Sequence, residues 1–251
     1  MYMKNKTIIR SMDILQLFIE HSELTFQEII DLSGIPKSSV YRMLKSLEEM
    51  EFLEKGADAK YRLGLLFLTY GSLVANRIDL RKVAYPIMEA LHEDVEQAVN
   101  LIIRQEDEAM YIEKIDTKQK VRLYTAVGRK SPLYAGACSR VIFSFLTKHE
   151  REEYLDNTVL HQFASGTITD KNQLLASVKK AHEDGYTISY SELEDHTTAI
   201  AAPIFNHKGN VIGGLSIAGI EANYTEDNIT TYAQKVIKAA NNISTNLGNI
   251  Q

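Results

Sequence analysis

The sequence predicts an α+β protein with an N-terminal winged helix-turn-helix and a larger C-terminal domain. Residues 24–63 contain two short helical patterns, separated by a glycine and followed by two short strands. From residue 99 onwards, helical patterns are grouped between and after strand patterns. A hydrophobic fraction of 45% in 251 residues is enough to form one large or two modest cores.

The first helix of the predicted helix-turn-helix begins at a capping box. Thr25 and Glu28 have the spacing at which each side chain can bond the backbone N–H of the other residue. Gly34 then ends this helix, because glycine adopts the left-handed conformation of a sharp turn without strain. Pro36 follows at the first position of a second helix, where proline is tolerated.

The second predicted helix, from Pro36 to Met50, has an apolar stripe and a polar face. The stripe follows the helical period and consists of Val40, Met43, Leu44, Leu47 and Met50. Short hydroxyl side chains and cations lie on the opposite face, with a tyrosine at its flank, which favours contact with DNA. Together with the hairpin described next, the predicted DNA-binding residues are Thr25, Lys37, Ser38, Ser39, Tyr41, Arg42, Lys45, Lys60 and Arg62.

Two short strand patterns, residues 52–54 and 60–63, predict a hairpin, or wing, with Lys55, Lys60 and Arg62 near its tip.

Before the helix-turn-helix, residues 7–20 predict a helix whose broad apolar face can pack beneath it and meet a second subunit. After the wing, residues 64–76 predict a strongly apolar helix. The predicted domains are therefore 1–63 (winged helix-turn-helix), 64–80 (linker helix) and 81–251 (C-terminal domain).

The acidic net charge argues against a protein that covers nucleic acid without sequence preference. The formal net charge is −5, and residues 1–63 contain nine Lys and Arg against ten Asp and Glu, a net charge of −1. However, Lys37, Arg42 and Lys45 have no acid among them. With few phosphate contacts per chain, tight DNA binding requires a dimer or a larger homo-oligomer. The alternative is a winged domain that docks a protein instead of DNA.

The C-terminal part alternates helices and strands. Asp79 is predicted to cap a helix that extends to about Ala98, in which Pro86 predicts a kink or a break. Further helices are predicted at residues 135–146, from a Thr147–Glu150 capping box to before Asn157, at 171–184 ending at Gly185, and at 227–246 after Thr225. Strands are predicted at 99–105, 109–115, 121–128, 186–190, 199–205 and 211–219.

No convergent catalytic set is visible in the sequence. Cys138, the only cysteine, lies near a predicted helix start, where a thiol pKa can fall, but an inert and partly buried thiol is the preferred interpretation. A metal site formed by Cys138, His196 and His207 is a minor alternative, because the seven histidines lack metal-ligand spacing. Glu192, Glu194 and Asp195 are interpreted as a solvated turn rather than as an acid pair. No enzyme activity, cofactor or metal is expected.

A single cysteine excludes an internal disulfide framework and is typical of a reducing compartment. No run approaches 18 consecutive apolar residues, and the first residues do not have the pattern of a signal peptide. A cytoplasmic protein without a membrane partner is therefore expected.

Several segments, in this order, resemble the IclR family of bacterial transcription regulators. In the first domain they are RSMDILQLF, LTFQEIIDLSGIPKSSVYRMLKSLEEMEFLEK and YRLG. In the second they are VNLIIRQEDEAMYIEKI, GRKSPLYAGACSRVIFSFL and IAAPIFNHKGNVIGGLSIAG. The resemblance implies that residues 81–251 form an α+β domain for effector binding and oligomerisation, similar to GAF and PAS sensors. It also implies dimers or tetramers that bind double-stranded operator DNA, as repressors or activators. Their binding responds to a small effector, such as a carboxylic acid, an aromatic compound or another polar metabolite.

The resemblance also implies which residues contact the effector. The loop before the sensor helix of the family offers backbone N–H groups to a ligand carboxylate, and a helix start suits an anion. This loop corresponds to residues 134–139, and three later strands supply the remaining positions. The ligand-binding residues implied in this way are Tyr134, Gly136, Ala137, Cys138, Ser189, Ala199, Ser216 and Ala218.

Overall fold

The computed structural model describes residues 5–76, 79–118 and 125–249. The chain divides into two compact units, Met1–Arg77 and Ile78–Gln251. The first unit is mainly helical with a small sheet, and the second has a six-stranded sheet with helices on both faces. The α+β class predicted from the sequence is confirmed.

The first unit is a winged helix-turn-helix. Its strands form an antiparallel sheet in the order β1-β3-β2. Its elements are α1 (Lys6–Glu20), β1 (Leu24–Thr25), α2 (Phe26–Ser33), α3 (Lys37–Glu49), β2 (Leu53–Lys55), β3 (Lys60–Leu63) and α4 (Leu66–Asn76).

The local signals of the helix-turn-helix are confirmed. Thr25 and Glu28 form the predicted capping box at the start of α2. Gly34 ends α2 in the left-handed conformation, with φ of 63°. Pro36 is the N-cap of α3, one residue before the helical position predicted for it. The turn therefore has the geometry that these side chains dictate.

The apolar stripe of α3 is confirmed except at its end. Val40, Met43, Leu44 and Leu47 are buried among residues of α1 and α2. The prediction that Met50 belongs to this stripe is wrong, because its side chain is 50% exposed. Met50 is the C-cap, and the backbone turns away at the next residue, Glu51, whose φ is 61°.

The second unit contains the remaining elements. They are α5 (Asp79–Val95), β4 (Ala98–Gln105), β5 (Glu108–Ile115), β6 (Lys130–Pro132), α6 (Ala137–Phe145), α7 (Lys148–Asn157), α8 (Lys171–Asp184), β7 (Thr187–Tyr190), β8 (Thr197–Phe205), β9 (Val211–Ile220) and α9 (Glu226–Asn246). The sheet is antiparallel in the order β6-β5-β4-β9-β8-β7. A predicted strand at 121–128 lies partly outside the described residues, and residues 125–128 contain no strand.

Each face of the large sheet has its own core. Helices α5 and α9 pack on one face, against Val99, Leu101, Ile200 and Leu215 among others. On the other face, α6 packs on the sheet and α8 packs on α6. Gly214 of β9 permits the close approach of α6, since a Cβ there would lie 3.2 Å from the carbonyl oxygen of Cys138.

Of the kink or break predicted at Pro86, the break does not occur, because α5 is continuous from Asp79 to Val95. Apolar residues on both sides of the proline are buried in the core with α9: Leu80, Ala84, Met88, Leu91 and Val95. Tertiary packing of this stripe therefore outweighs the local preference of proline against a helix interior.

Candidate DNA-binding and effector-binding sites

Helix α3 presents its polar face to solvent because its apolar stripe is buried. Lys37, Ser38, Tyr41, Arg42 and Lys45 are exposed, and Ser39 is half-buried. The face has an aromatic edge, since the rings of Tyr41 and Phe26 meet edge to face at 6.4 Å between centroids. The Lys37 ammonium lies 5.9 Å from the centroid of the Phe26 ring.

The predicted DNA residues outside α3 all have partners within the unit. Glu23 receives hydrogen bonds from the Lys60 ammonium and from the Arg62 guanidinium, and Arg62 also contacts Asp58 at 2.6 Å. The hydrogen bond from Lys60, followed by that from Arg62, lowers the pKa of Glu23. Thr25 is occupied by the capping box of α2. The positive charge of the wing is thus largely neutralised, and Lys60 and Arg62 have structural roles that the sequence did not reveal, whereas the capping role of Thr25 is the one predicted.

In the second unit, the strand register brings the predicted ligand-binding residues of the sheet together. Ser189 pairs with Ala199, and Ala199 pairs with Ala218, so the three lie in one row across β7, β8 and β9. Ser216 lies two residues before Ala218 and therefore on the same face. These side chains are small and mostly buried.

Helix α6 begins above this row of small residues. Gly136 is its N-cap with φ of 80°, a backbone conformation that favours glycine, and a Cβ there would lie 2.8 Å from the end of the Leu193 side chain. Glycine has no side chain to cap the helix, so the first N–H groups of α6 receive no side-chain cap from it. Ala137 and Cys138 follow, and Cys138 is hydrogen-bonded to Ser216.

The thiol of Cys138 and the hydroxyl of Tyr134 have structural partners. Burial raises the pKa of Cys138 to about 12, so the thiol is neutral at physiological pH and is not an activated nucleophile. The Tyr134 hydroxyl donates to the carbonyl of His161 at 2.8 Å and accepts from its N–H at 2.7 Å. Tyr134 therefore offers a ring and a backbone to the site rather than a free hydroxyl.

Glu192 lies directly at the start of α6, contrary to its interpretation as part of a solvated turn. Its carboxylate accepts a hydrogen bond from the N–H of Gly136 at 2.9 Å and pairs with Arg140. The side chains of Arg140 and Glu192 are only 4% and 5% exposed. The solvated-turn interpretation was wrong for Glu192 because a helix N-terminus and a guanidinium compensate the buried charge.

Two polar residues that the sequence analysis did not select also border the site. Asn100 is 1% exposed, pairs in register with Ser216, and accepts a hydrogen bond from Thr125 Oγ1 at 3.1 Å. Asn100 has a recognisable signal, since it is a polar residue inside an otherwise apolar buried strand. Thr125 has no such signal in the sequence, because its partner Asn100 lies 25 residues away along the chain.

Among the described residues, no three His, Cys, Asp or Glu side chains are grouped so that they could hold a metal ion. In the same ranges, no helix combines the length and apolar character needed to cross a membrane.

Comparison with known proteins assigns both units. Residues 7–57 match the IclR helix-turn-helix domain, and residues 72–245 match the C-terminal domain of the bacterial transcriptional regulator IclR. The HTH-type transcriptional regulator KipR of Bacillus subtilis (strain 168) is 53% identical over 245 residues, covering 98% of each chain.

Solved structures agree with these matches. The Thermotoga maritima IclR structure has a TM-score of 0.83 at 28% identity and covers 96% of this chain and 98% of its own. An IclR homolog from Microbacterium hydrocarbonoxydans, complexed with 4-hydroxybenzoate, has a TM-score of 0.81 at 27% identity. It covers 96% of this chain and 99% of its own.

A C-terminal domain match over more than half of the chain and a relative 53% identical over nearly all of it establish the family. The matched domains and relatives are DNA-binding regulators and not enzymes. The chain therefore belongs to the IclR family of transcriptional regulators, with a helix-turn-helix domain that binds operator DNA and a C-terminal domain that binds a small-molecule effector.

Proposed function

We propose that this regulator acts as a homo-oligomer that reads its operator mainly with α3. A small carboxylic acid or another polar metabolite, bound between the start of α6 and the sheet, changes its affinity for DNA. The observation that carries the DNA part is the division of α3 into a buried stripe and an exposed face of Lys37, Ser38, Tyr41 and Arg42. The ion pairs of the wing favour α3 over β3 as the source of free cations.

Arg42 is the residue on which this proposal depends most. Its guanidinium projects from the middle of the exposed face of α3 and suits a bidentate contact with guanine in the major groove. We expect Arg42→Ala to weaken operator binding by about 1–3 kcal/mol if Arg42 reads a base. A gel shift with the DNA upstream of the protein's own gene measures this loss.

Lys179→Ala is the matched control for Arg42→Ala, because it removes one exposed cation from the second unit. If Arg42→Ala folds normally and keeps the operator affinity of this control, Arg42 does not contact DNA. If the wild-type protein binds no such DNA, the winged unit docks another partner.

The proposal of a homo-oligomer is supported by apolar surface on the first unit. Leu65, Leu68 and Leu73 are 76%, 73% and 56% exposed, which is unusual for three leucines in and next to one helix. The exposed apolar residues of α1 are Ile8, Ile9, Met12 and Ile19. Surface of this kind suits an interface with a second copy, which would also double the DNA contacts.

We expect Leu68→Glu to shift the protein toward smaller assemblies and to weaken DNA binding. A charge placed in an apolar interface is costly, whereas Leu68 contributes little to the core of its own unit. Sedimentation at micromolar concentration measures the shift, with Leu32→Glu, another half-exposed leucine, as the control. A wild-type protein that sediments only as a monomer while it binds operator DNA would contradict the proposal.

The proposed effector site is supported by the convergence of small side chains and polar groups. Ala199, Ala218 and Ser189 form the floor, and the N–H groups at the start of α6 that follow Gly136, whose own N–H binds Glu192, provide donors for an anion. Arg140 and Glu192 cancel in charge beside them, so the site does not need a highly charged ligand. A small monoanion or polar molecule fits this set best.

We expect Ser216→Ala to weaken effector binding by about 0.5–1.5 kcal/mol, the usual contribution of one neutral hydrogen bond. A thermal-shift screen of small carboxylic and aromatic acids, beginning with 4-hydroxybenzoate, identifies a ligand, and titration of the variant measures the loss. Ser244→Ala is the control, since Ser244 is an equally buried serine on α9. If the two variants bind the effector with equal affinity, the effector does not form a hydrogen bond with Ser216.

Binding of the effector and of the operator must be coupled reciprocally. The factor by which the ligand changes operator affinity equals the factor by which operator DNA changes ligand affinity. Titration of the ligand with and without DNA therefore provides an independent check that the ligand is an effector.

A further inference from the structure

A basic groove separates α1 from α3 on the winged unit. Its volume is about 330 Å³. Its polar lining comes from two helices, with Lys6, Thr7 and Arg10 on α1 and Ser39, Arg42 and Ser46 on α3. The side chains of Lys6, Arg10 and Ser46 are exposed, so the groove is open to a partner.

This groove concentrates the free positive charge of the winged unit. In the described part of that unit, Lys45, Lys60 and Arg62 are engaged in ion pairs with acidic residues. The cations without an ion pair in the same ranges are Lys6, Arg10, Lys37, Arg42 and Lys55. Three of these five line the groove, and the first turn of α1 contains no acidic residue. The positive end of the helix dipole of α1 adds to this potential.

The position of the groove matches the geometry of a duplex. A helix about 10–12 Å across fills a major groove about 12 Å wide, so both phosphate strands flank it. Arg42 borders two depressions, one on the α2 side of α3 with Phe26 and Tyr41, and the basic groove on the α1 side. With α3 in the major groove, each depression faces a different phosphate strand.

We propose that the groove between α1 and α3 binds backbone phosphates of the DNA strand on the α1 side, with Lys6 and Arg10 as the binding cations. This inference rests on the DNA-binding function and on the placement of α3 in the major groove. The side chains of Thr7 and Ser39 provide hydroxyl donors to the same phosphate oxygens. The contact is independent of base sequence, so it adds affinity and fixes the register of α3 without adding selectivity.

The test uses a mixed-sequence duplex of about thirty base pairs, since phosphate contacts need no operator. We compare Lys6→Gln/Arg10→Gln with the charge-matched control Lys148→Gln/Lys179→Gln, whose lysines are 84% and 82% exposed on the second unit. Affinity is measured by fluorescence anisotropy over a series of salt concentrations. The slope of log K against log salt falls by roughly 0.9 for each phosphate contact that is lost.

The expected result is a slope reduced by nearly two units per bound chain in Lys6→Gln/Arg10→Gln, and an unchanged slope in the control. Ser46→Lys, which adds a cation to the same groove, is expected to steepen the slope by about one unit. A Lys6→Gln/Arg10→Gln slope equal to that of the control overturns the proposal while leaving the DNA-binding function intact. Absence of wild-type binding even at low salt overturns both.

Discussion

Glu192→Gln is expected to destabilise the second unit by about 3–5 kcal/mol, because it leaves the charge of Arg140 buried without its partner. The two side chains are almost fully enclosed, so water cannot replace the lost carboxylate. The substitution also weakens the acceptor for the N–H of Gly136 and thus loosens the start of α6. Urea denaturation followed by circular dichroism measures the loss, as the chain contains no tryptophan.

The control for this prediction is Glu152→Gln, the same substitution in an exposed pair with Lys148 on α7. An exposed ion pair contributes at most about 1 kcal/mol, so the two variants should differ clearly. Replacing both members of the buried pair, as in Arg140→Met/Glu192→Leu, should recover much of the lost stability. Equal, small effects of Glu192→Gln and Glu152→Gln would show that the carboxylate is not needed at the start of α6.

Leu44→Ala is expected to abolish DNA binding by unfolding the first unit. Leu44 is 1% exposed at the centre of the core formed by α1, α2 and α3, and a cavity of this kind destabilises by about 2–5 kcal/mol. A unit of this size has a small free energy of unfolding, so a loss of this magnitude is enough to unfold it. The second unit has its own core, so effector binding should persist. Gel shift and ligand titration on the same preparation separate the two effects.

Leu32→Ala provides the comparison for Leu44→Ala, because Leu32 belongs to the same unit but is 51% exposed. We expect it to retain DNA binding and to change stability by less than about 0.5 kcal/mol. If Leu44→Ala and Leu32→Ala bound DNA with equal affinity, burial of the apolar stripe would not be needed to keep α3 folded and positioned for DNA.

The sequence predicted those features that depend on neighbouring residues. The capping boxes at Thr25 and Thr147, and the glycine ends at Gly34 and Gly185, each require contacts within a few residues. Such contacts are fixed by spacing alone, so the helix boundaries could be predicted to within about two residues. The apolar period of α3 likewise identified its buried side and hence the face that is free for DNA.

Features that depend on distant residues could not be predicted. Strand β1 has only two residues and exists because it pairs with β3, some 36 residues later in the chain. Arg140 and Glu192 are 52 residues apart, so nothing local marks the carboxylate as buried. In the same way, nothing in the sequence near Lys60 and Arg62 indicates that Glu23 pairs with both of them. Long-range pairing decides these sites, and periodicity carries no information about it.

The short strand β1 joins the hairpin to the helix-turn-helix. It hydrogen-bonds to β3 directly before α2 begins, and Glu23 holds the same strand through Lys60 and Arg62. We therefore expect the hairpin and the helix-turn-helix to move together when the protein meets DNA. When the protein does not adjust, the duplex must bend or twist to meet it, and this deformation energy depends on the flexibility of each base step. Selectivity can then arise at base pairs that no side chain touches.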